Sequence, residues 1–185
     1  MSFGFKDRVD CIADAISHAK RQKILMFVAA SNEGGNGDIY FPAYMSEVIC
    51  VNAFTGEGNP ASFAPSPTKN QQDFAVLGTD VYSYWSHERG GGKRYMSGTS
   101  CAAPILAGIA AMILSYVLHL GSKHQEYPYL NRLRETENMQ RMLHIITKNR
   151  SEYRYVQPWT LFGKNIPCDE KGEALFLQRI SEQLK

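Results

Sequence analysis

The stretch ILMFVAASNEGGNGD, residues 24–38, sets the fold class, because a continuous apolar run ends abruptly in a polar loop with three glycines. Short apolar runs without polar alternation are typical of strands that are buried on both faces of a parallel sheet. Two further runs follow, EVICVNAF at 47–54 and DFAVLG at 73–78, and a helical pattern over 7–20 precedes the first. The sequence therefore predicts an α/β fold with a mostly parallel sheet and helices on both faces.

Composition places the chain among ordinary globular proteins. Its 185 residues are 44% hydrophobic and 21% charged, which is enough for one domain with a buried core. The formal net charge is only +2 and no block of Lys or Arg occurs, so we do not expect nucleic acid as a partner.

The compartment is not fixed by the sequence. The first residues do not resemble a signal peptide, and the cysteines form no C-x-x-C pair. Cysteines without a pairing pattern favour an intracellular location, because thiols stay reduced there. The four cysteines are Cys11, Cys50, Cys101 and Cys168.

The uncharged segment 101–120 is long enough to cross a membrane. However, Pro104, Ser115 and His119 lie inside it, and neither aromatic belts nor a basic anchor flank it. We therefore predict a central buried helix that ends at Gly121, and no membrane partner.

The remaining segments predict smaller elements. The runs VYSYW (81–85) and KRYM (93–96) flank a glycine-rich turn, which is typical of a hairpin. A helix capped by Thr136 and another that starts near Asp169 follow. Between them, YRYVQPWTLFGKNIP (153–167) is predicted to be irregular and to pack over the core.

A serine at the start of the central helix has the properties of a nucleophile. Its own N–H lies before the first intrahelical bond and can donate to an oxyanion, and the helix dipole favours negative charge there. Gly98 would permit a tight entry to Thr99 and Ser100. On these residues alone, a simple helix cap is the favoured interpretation.

The wider pattern resembles the subtilisin-like serine proteases. Gly-Thr-Ser-x-Ala-x-Pro over 98–104 is similar to the serine motif of that family, and FVAASNEGG (27–35) to its strand ending in Ala-Ala-Gly-Asn-Glu-Gly. The stretch FPAYMSEVICVNAFTGEGNPASFAPSP (41–67) is similar to its Tyr-Pro stretch, buried strand and Ala-Ser-Phe-Ser segment, in the same order. MSFGF (1–5) is similar to its strand Met-Ser-Leu-Gly, whose edge pairs with the substrate backbone. The resemblance implies that residues 1–148 are the C-terminal part of a subtilisin-like peptidase domain. Residues 149–185 would then be an aromatic-rich segment and a C-terminal helix that pack on the same domain.

The resemblance also implies roles for individual residues. Ser100 would form the acyl-enzyme of a serine endopeptidase, while the Asn32 side-chain amide and the Ser100 N–H would hold the oxyanion. The substrate would be a polypeptide. Six residues would bind it, with Ser2, Phe3 and Gly4 along one side of the cleft and Ala29, Ala30 and Ser31 in the wall of the specificity pocket.

Two motifs of the family are absent from this chain. No Asp begins an Asp-Ser/Thr-Gly motif and no His is followed by Gly, so the catalytic acid and base are unassigned. In the family both motifs precede the substrate strand. We therefore expect a missing N-terminal half as a partner and an inactive isolated chain. No cofactor or metal is expected, because no acidic cluster has calcium-loop spacing, although calcium occurs in the family.

Two other functions remain as alternatives. The chain could be a degenerate, non-catalytic subtilisin-like module that binds peptides or regulates a larger protein. It could also be an α/β-hydrolase esterase, since Gly98-x-Ser100-x-Ala102 is close to a nucleophile elbow, and His119, His124 and His144 lie downstream. That fold leaves Asn32 and its surroundings unexplained.

Overall fold

A five-stranded sheet is the framework of the computed structural model, which describes residues 1–67, 73–124, 128–162 and 170–184. In chain order the strands are β1 (Phe27–Ala29), β2 (Ile49–Phe54), β3 (Phe74–Leu77), β4 (Val81–Tyr84), β5 (Lys93–Met96), β6 (Thr147–Arg150) and β7 (Tyr153–Val156). The helices are α1 (Asp10–Arg21), α2 (Thr99–His124), α3 (Pro128–Leu133), α4 (Thr136–His144), α5 (Trp159–Phe162) and α6 (Glu170–Gln183). A 3-10 turn spans His87–Arg89.

The main sheet is mostly parallel, as the sequence predicts. Its order is β1-β2-β3-β7-β6, in which β1, β2, β3 and β7 run parallel and β6 runs antiparallel to β7. All six residues of β2 are buried, because β2 lies between β1 and β3 with both faces covered. The apolar run without alternation therefore has the expected cause.

Alternate residues of the central strands pack against different helices. Val28 and Cys50 belong to one core cluster with Ile16 of α1. Ile49 and Leu106 belong to a second cluster, on the other side of the sheet, to which α2, α4 and α6 contribute. This two-residue period is the geometry of a pleated strand, and it confirms the prediction of helices on both faces.

The central helix α2 packs only one of its faces on the sheet. Leu106, Ile113 and Leu120 are fully buried on that face, whereas Met112 and Leu118 are 50% and 48% exposed on the other. In the described part of the chain, α2 is the helix that is long and apolar enough to cross a membrane. A helix that is buried in a protein core has the same apolar character, and 39% of the apolar window of α2 is buried. The helix does not end at Gly121 as predicted but continues to His124.

The C-terminal part is more regular than the sequence suggests. The segment 153–167, predicted to be irregular, contains β7, which inserts beside β3 in the main sheet. Tyr155 stacks on Phe54 of β2 with ring centroids 5.2 Å apart. Aromatic and polar residues alternate at the start of β7, and this pattern is typical of a strand. Because β6 spans Thr147–Arg150, a boundary at 148 lies inside this strand.

The prediction of a Thr136 cap is wrong. Thr136 is the first residue of α4, and its hydroxyl donates to the Glu47 carbonyl oxygen at 3.2 Å. The N-cap position is Glu135, which makes no side-chain capping hydrogen bond. Asp169, predicted near the start of the last helix, lies outside the described residues, as does Cys168.

Candidate active site

A sharp turn at Gly98 places Ser100 at the N-terminus of α2. Gly98 has a φ of +152°, a conformation that residues with side chains rarely adopt, and its carbonyl accepts hydrogen bonds from the Cys101 and Ala102 N–H groups. Ser100 is the second helical residue and is exposed. In the described part of the chain, its N–H makes no hydrogen bond and its hydroxyl has no partner. Both groups are therefore available to a substrate.

Thr99 fixes the orientation of the Asn32 side chain. The Oδ1 atom of Asn32 accepts hydrogen bonds from the Thr99 N–H at 2.9 Å and from the Thr99 hydroxyl at 3.1 Å. A backbone N–H can only donate, so the amide oxygen must face Thr99 and the Nδ2 group must point elsewhere. That nitrogen lies 3.5 Å from the position that a Cβ of Gly98 would occupy. The amide donor of Asn32 is thus held beside the turn that leads into Ser100.

The anchoring threonine also connects the two loops of the site. Thr99 is buried, and its hydroxyl lies 3.2 Å from the Ser31 carbonyl oxygen as well as close to Asn32. Because the hydroxyl has one proton, it donates to one of these two oxygens at a time. The Ser31 hydroxyl is occupied too, since it donates to the Asp38 carbonyl at 2.8 Å.

Pro104 explains a second contact at the nucleophile. Proline has no N–H, so the carbonyl of the residue four positions earlier, Ser100, lacks its usual intrahelical donor. The Ser2 hydroxyl donates to this carbonyl oxygen at 3.1 Å. This hydrogen bond therefore ties the N-terminal segment of the chain directly to Ser100.

A cavity of about 240 Å³ lies beside these groups. Every site residue that the sequence predicts lines it: Ser2, Phe3, Gly4, Ala29, Ala30, Ser31, Asn32 and Ser100. The segment 2–4 is anchored at both ends, since Met1 O accepts from Ala29 N–H at 3.0 Å and Phe5 exchanges two backbone hydrogen bonds with Phe41. In the described structure, the backbone of residues 2–4 forms no such bonds and stays open along the cavity.

Three further residues line the cavity without having been predicted: Glu33, Tyr40 and Thr99. Desolvation raises the pKa of Tyr40. A hydrogen bond to the Glu33 carboxylate and the negative charge of that carboxylate raise the pKa further. A Cβ on Gly4 would lie only 2.8 Å from the Tyr40 Cβ, so the close approach of the two segments requires glycine. Glu33 directly follows Asn32, and Thr99 directly precedes Ser100. Adjacency to a predicted site residue was therefore the sequence signal for these two residues.

The thiol beside the nucleophile is not activated. Burial raises the pKa of Cys101, which keeps the thiol protonated, and Cys101 forms no disulfide. A protonated thiol is a poor nucleophile, so Cys101 is a weaker candidate for the reactive group at this turn than the Ser100 hydroxyl.

No hydrogen bond between described residues joins a histidine to the Ser100 hydroxyl. The histidines lie on four different elements: His18 on α1, His87 in the 3-10 turn, His119 and His124 on α2, and His144 on α4. Among the described residues, no group of three or more His, Cys, Asp or Glu side chains could hold a metal ion.

A larger cavity, of about 500 Å³, lies between α1 and α4 and away from Ser100. Its charged side chains largely neutralise one another, since Lys20 pairs with Glu137 and Lys23 pairs with Glu135 at 2.8 Å. Fewer of its polar groups are therefore available to a ligand than in the cavity beside Ser100.

Comparison with known proteins agrees with the motifs and the geometry. The model of the Peptidase S8, or subtilase, family matches residues 1–149. The chain is 29% identical over 105 residues to "Subtilisin-like protease het-Q2" of Podospora anserina, covering 56% of this chain and 29% of that protein. It is 33% identical over 117 residues to "Intracellular serine protease" of Paenibacillus polymyxa, covering 61% and 34%. The chain thus spans about a third of these relatives' length.

The fold also matches a solved structure. A mutant of the protease domain of PatA superposes with a TM-score of 0.69 at 22% identity, covering 96% of this chain and 58% of that one. At this identity the likeness concerns the fold alone. The family model, which covers most of the chain, decides the assignment: the chain belongs to the subtilase family of serine proteases.

Proposed function

We propose that this chain carries the nucleophile and the oxyanion donors of a serine endopeptidase, which hydrolyses peptide bonds through an acyl-enzyme on Ser100. The observation that carries this proposal is the orientation of Asn32, whose Oδ1 is held by Thr99. Its amide nitrogen makes no hydrogen bond to the described residues and lies beside the Gly98 turn that leads into Ser100. A helix cap alone would not require an oriented amide from a loop 67 residues away.

The chemistry follows from the groups at the turn. The Ser100 hydroxyl attacks the carbonyl carbon of the scissile peptide bond, and negative charge develops on the carbonyl oxygen. The Asn32 amide and the Ser100 N–H donate to this oxygen, and the N-terminal end of α2 stabilises its charge. The open backbone of residues 2–4 is suited to pair with an extended polypeptide substrate.

The catalytic base comes from a segment outside the described residues, as does the acid that orients it. A cavity of about 340 Å³, lined in part by Met1, Phe27 and Ala107, offers this segment a place to pack. The exposed apolar face of α2, with Met112 and Leu118, extends the available surface. The isolated chain is accordingly expected to be inactive as a protease, with only weak catalysis from the oxyanion donors.

A fluorophosphonate probe tests this proposal on the chain itself, because it reacts with an activated serine hydroxyl. Without an added base, the chain should label slowly. Free imidazole can act as a base in place of the missing histidine, so it should accelerate the labelling of Ser100, whereas Ser100→Ala should not label at all.

Each outcome separates the candidate functions. Rapid stoichiometric labelling without imidazole would contradict the missing base. Labelling at a site other than Ser100 would contradict the assignment of Ser100 as the nucleophile. No labelling with imidazole, together with retained peptide binding, would favour the degenerate, non-catalytic module. Loss of labelling in His144→Ala would favour the α/β-hydrolase alternative.

No metal or other cofactor is part of the proposed mechanism, since serine, amide and backbone N–H groups supply the chemistry. An intracellular location likewise remains a proposal, with which the free thiols of Cys50 and Cys101 agree.

A further inference from the structure

The hairpin of β4 and β5 stands apart from the main sheet and presents large aromatic side chains to solvent. The two strands form their own antiparallel sheet, with Tyr82 opposite Tyr95 and Tyr84 opposite Lys93. Tyr82, Tyr84 and Tyr95 are 58%, 75% and 68% exposed. Rings of this size are usually covered, so their concentration on one short hairpin indicates an interaction surface.

These four residues share one face of the hairpin, because directly opposed and alternate residues of an antiparallel pair point the same way. The rings of Tyr82 and Tyr95 lie 4.9 Å apart, and the Lys93 ammonium lies 4.7 Å from the ring centre of Tyr84. We name this surface, Tyr82, Tyr84, Lys93 and Tyr95, the tyrosine face.

Stabilisation of the hairpin explains only part of the tyrosine face. A two-stranded hairpin is marginal by itself, and the cross-strand pair of Tyr82 and Tyr95 contributes to holding it together. On the opposite face, Arg94 covers the Trp85 ring at 4.1 Å. Tyr84 at the end of β4 remains three-quarters exposed, with one ring face beneath Lys93 and the rest open to a partner.

The charge of the hairpin defines the chemistry of that partner. Arg89, Lys93 and Arg94 are cationic and exposed, whereas Glu88 is the one acidic residue between 81 and 96. Tyrosine rings flanked by cations fit a chain that alternates carboxylates with apolar side chains. An extended peptide presents its side chains with the same two-residue period as the hairpin.

The hairpin also leads into the active site. Its base is closed by the hydrogen bond from Gly98 N–H to Gly78 O at 2.8 Å, and Ser100 follows two residues later. None of the residues of β4 or β5 lines the cavity beside Ser100. A polypeptide bound to the tyrosine face would therefore engage the protein outside that cavity, on the hairpin whose second strand leads into Ser100.

We propose that the tyrosine face docks an acidic, extended segment of the polypeptide substrate, separate from the residues that occupy the cavity. This inference rests on the proposed peptidase function for the identity of the polypeptide. The docking itself requires no catalysis and can be measured independently of Ser100.

The test is an anisotropy titration of the full chain with a labelled peptide of about eight residues, long enough to span the hairpin, in which Glu alternates with apolar residues. A matched peptide has Gln in place of Glu. The Glu peptide should bind more tightly, and Lys93→Glu or Tyr84→Ala should weaken it by about tenfold. Lys148→Glu makes the same charge change on an exposed site of β6 and should have no effect.

Two further variants guard against a folding artefact and against confusion with catalysis. Lys93→Gln removes only the charge, and binding should still weaken. In a Trp159→Phe background, where Trp85 is the single tryptophan, unchanged fluorescence would show that the hairpin is intact. Ser100→Ala should bind the peptide like the wild type, so a failure of serine labelling would not be mistaken for a failure of docking.

Three results would overturn the proposal: equal binding of the Glu and Gln peptides, binding that is insensitive to Lys93→Glu, or tighter binding of single-stranded RNA, which stacked aromatics with cations can also hold.

A phosphonate probe extended by the acidic segment tests the substrate assignment. It should label Ser100 faster than the probe with the Gln segment, and this advantage should disappear in Lys93→Glu. A probe without any segment reports on Ser100 alone.

Discussion

Two substitutions of Asn32 separate its amide donor from its amide oxygen. Asn32→Asp keeps an oxygen for the Thr99 N–H and hydroxyl, which lie 2.9 and 3.1 Å from Oδ1, but has no N–H to donate. Asn32→Leu has nearly the same volume and loses both functions. Both variants should therefore lose catalytic rate, and they should differ in stability.

The expected stability change follows from the hydrogen bonds that each variant retains. In Asn32→Leu, the Thr99 N–H and the hydroxyl of this buried residue lose an acceptor, although the hydroxyl can still donate to Ser31 O at 3.2 Å. An unsatisfied buried donor costs about 1–3 kcal/mol, and we expect that loss in the free energy of unfolding. Asn32→Asp should stay within about 0.5 kcal/mol of the wild type, since its carboxylate accepts both bonds and lies near a helix N-terminus.

The expected rate change follows from the loss of the Asn32 amide donor. Loss of one oxyanion donor lowers the rate by about 10²–10³-fold, a magnitude that comes from subtilisin, a member of this family. Asn32→Asp should lose at least as much as Asn32→Leu, because its negative charge repels the oxyanion.

Urea unfolding followed by circular dichroism measures the stability of each variant, and imidazole-assisted labelling of Ser100 measures the rate. Wild-type labelling by Asn32→Asp would refute the oxyanion role. Full stability of Asn32→Leu would refute the anchoring of Asn32 by Thr99.

Three further predictions concern the core, the nucleophile and the response to pH. Leu106→Ala should lower the free energy of unfolding by about 2–5 kcal/mol, whereas Leu118→Ala, on the exposed face of α2, should cost far less; denaturant midpoints compare the two. Ser2→Ala removes the donor to the Ser100 carbonyl oxygen, and we expect less than about 1 kcal/mol of destabilisation in urea, because this site is exposed and water can replace the hydroxyl. Burial raises the pKa of Tyr153 from 10.0 to about 12, so the unfolded chain loses this proton first and stability should fall as pH rises from 10 towards 12. Tyr153→Phe should remove that component of the fall; an unchanged pH dependence in urea titrations would contradict the assignment.

Much of the framework could be predicted from the sequence, because it depends on local patterns. The apolar runs that became β1, β2 and β3 contain no polar alternation, and such runs are stable only between two covered faces. Gly98 could be identified as the entry to α2 because a tight turn needs a residue without a side chain. The motifs around Asn32 and Ser100 likewise depend on a few adjacent residues and can be read directly.

Contacts between distant segments were decided only by the tertiary structure. Thr99 orients Asn32 across 67 residues, and the Ser2 hydroxyl reaches the Ser100 carbonyl across 98. The insertion of β7 beside β3 depends on a long-range pairing, and no local pattern specifies which strand a short aromatic run will join. Residue spacing predicts which face of an element is apolar, but the partner of a side-chain oxygen or N–H depends on how the elements pack. For this reason the sequence identifies Asn32 as a candidate donor, and only the fold determines which way its amide group points.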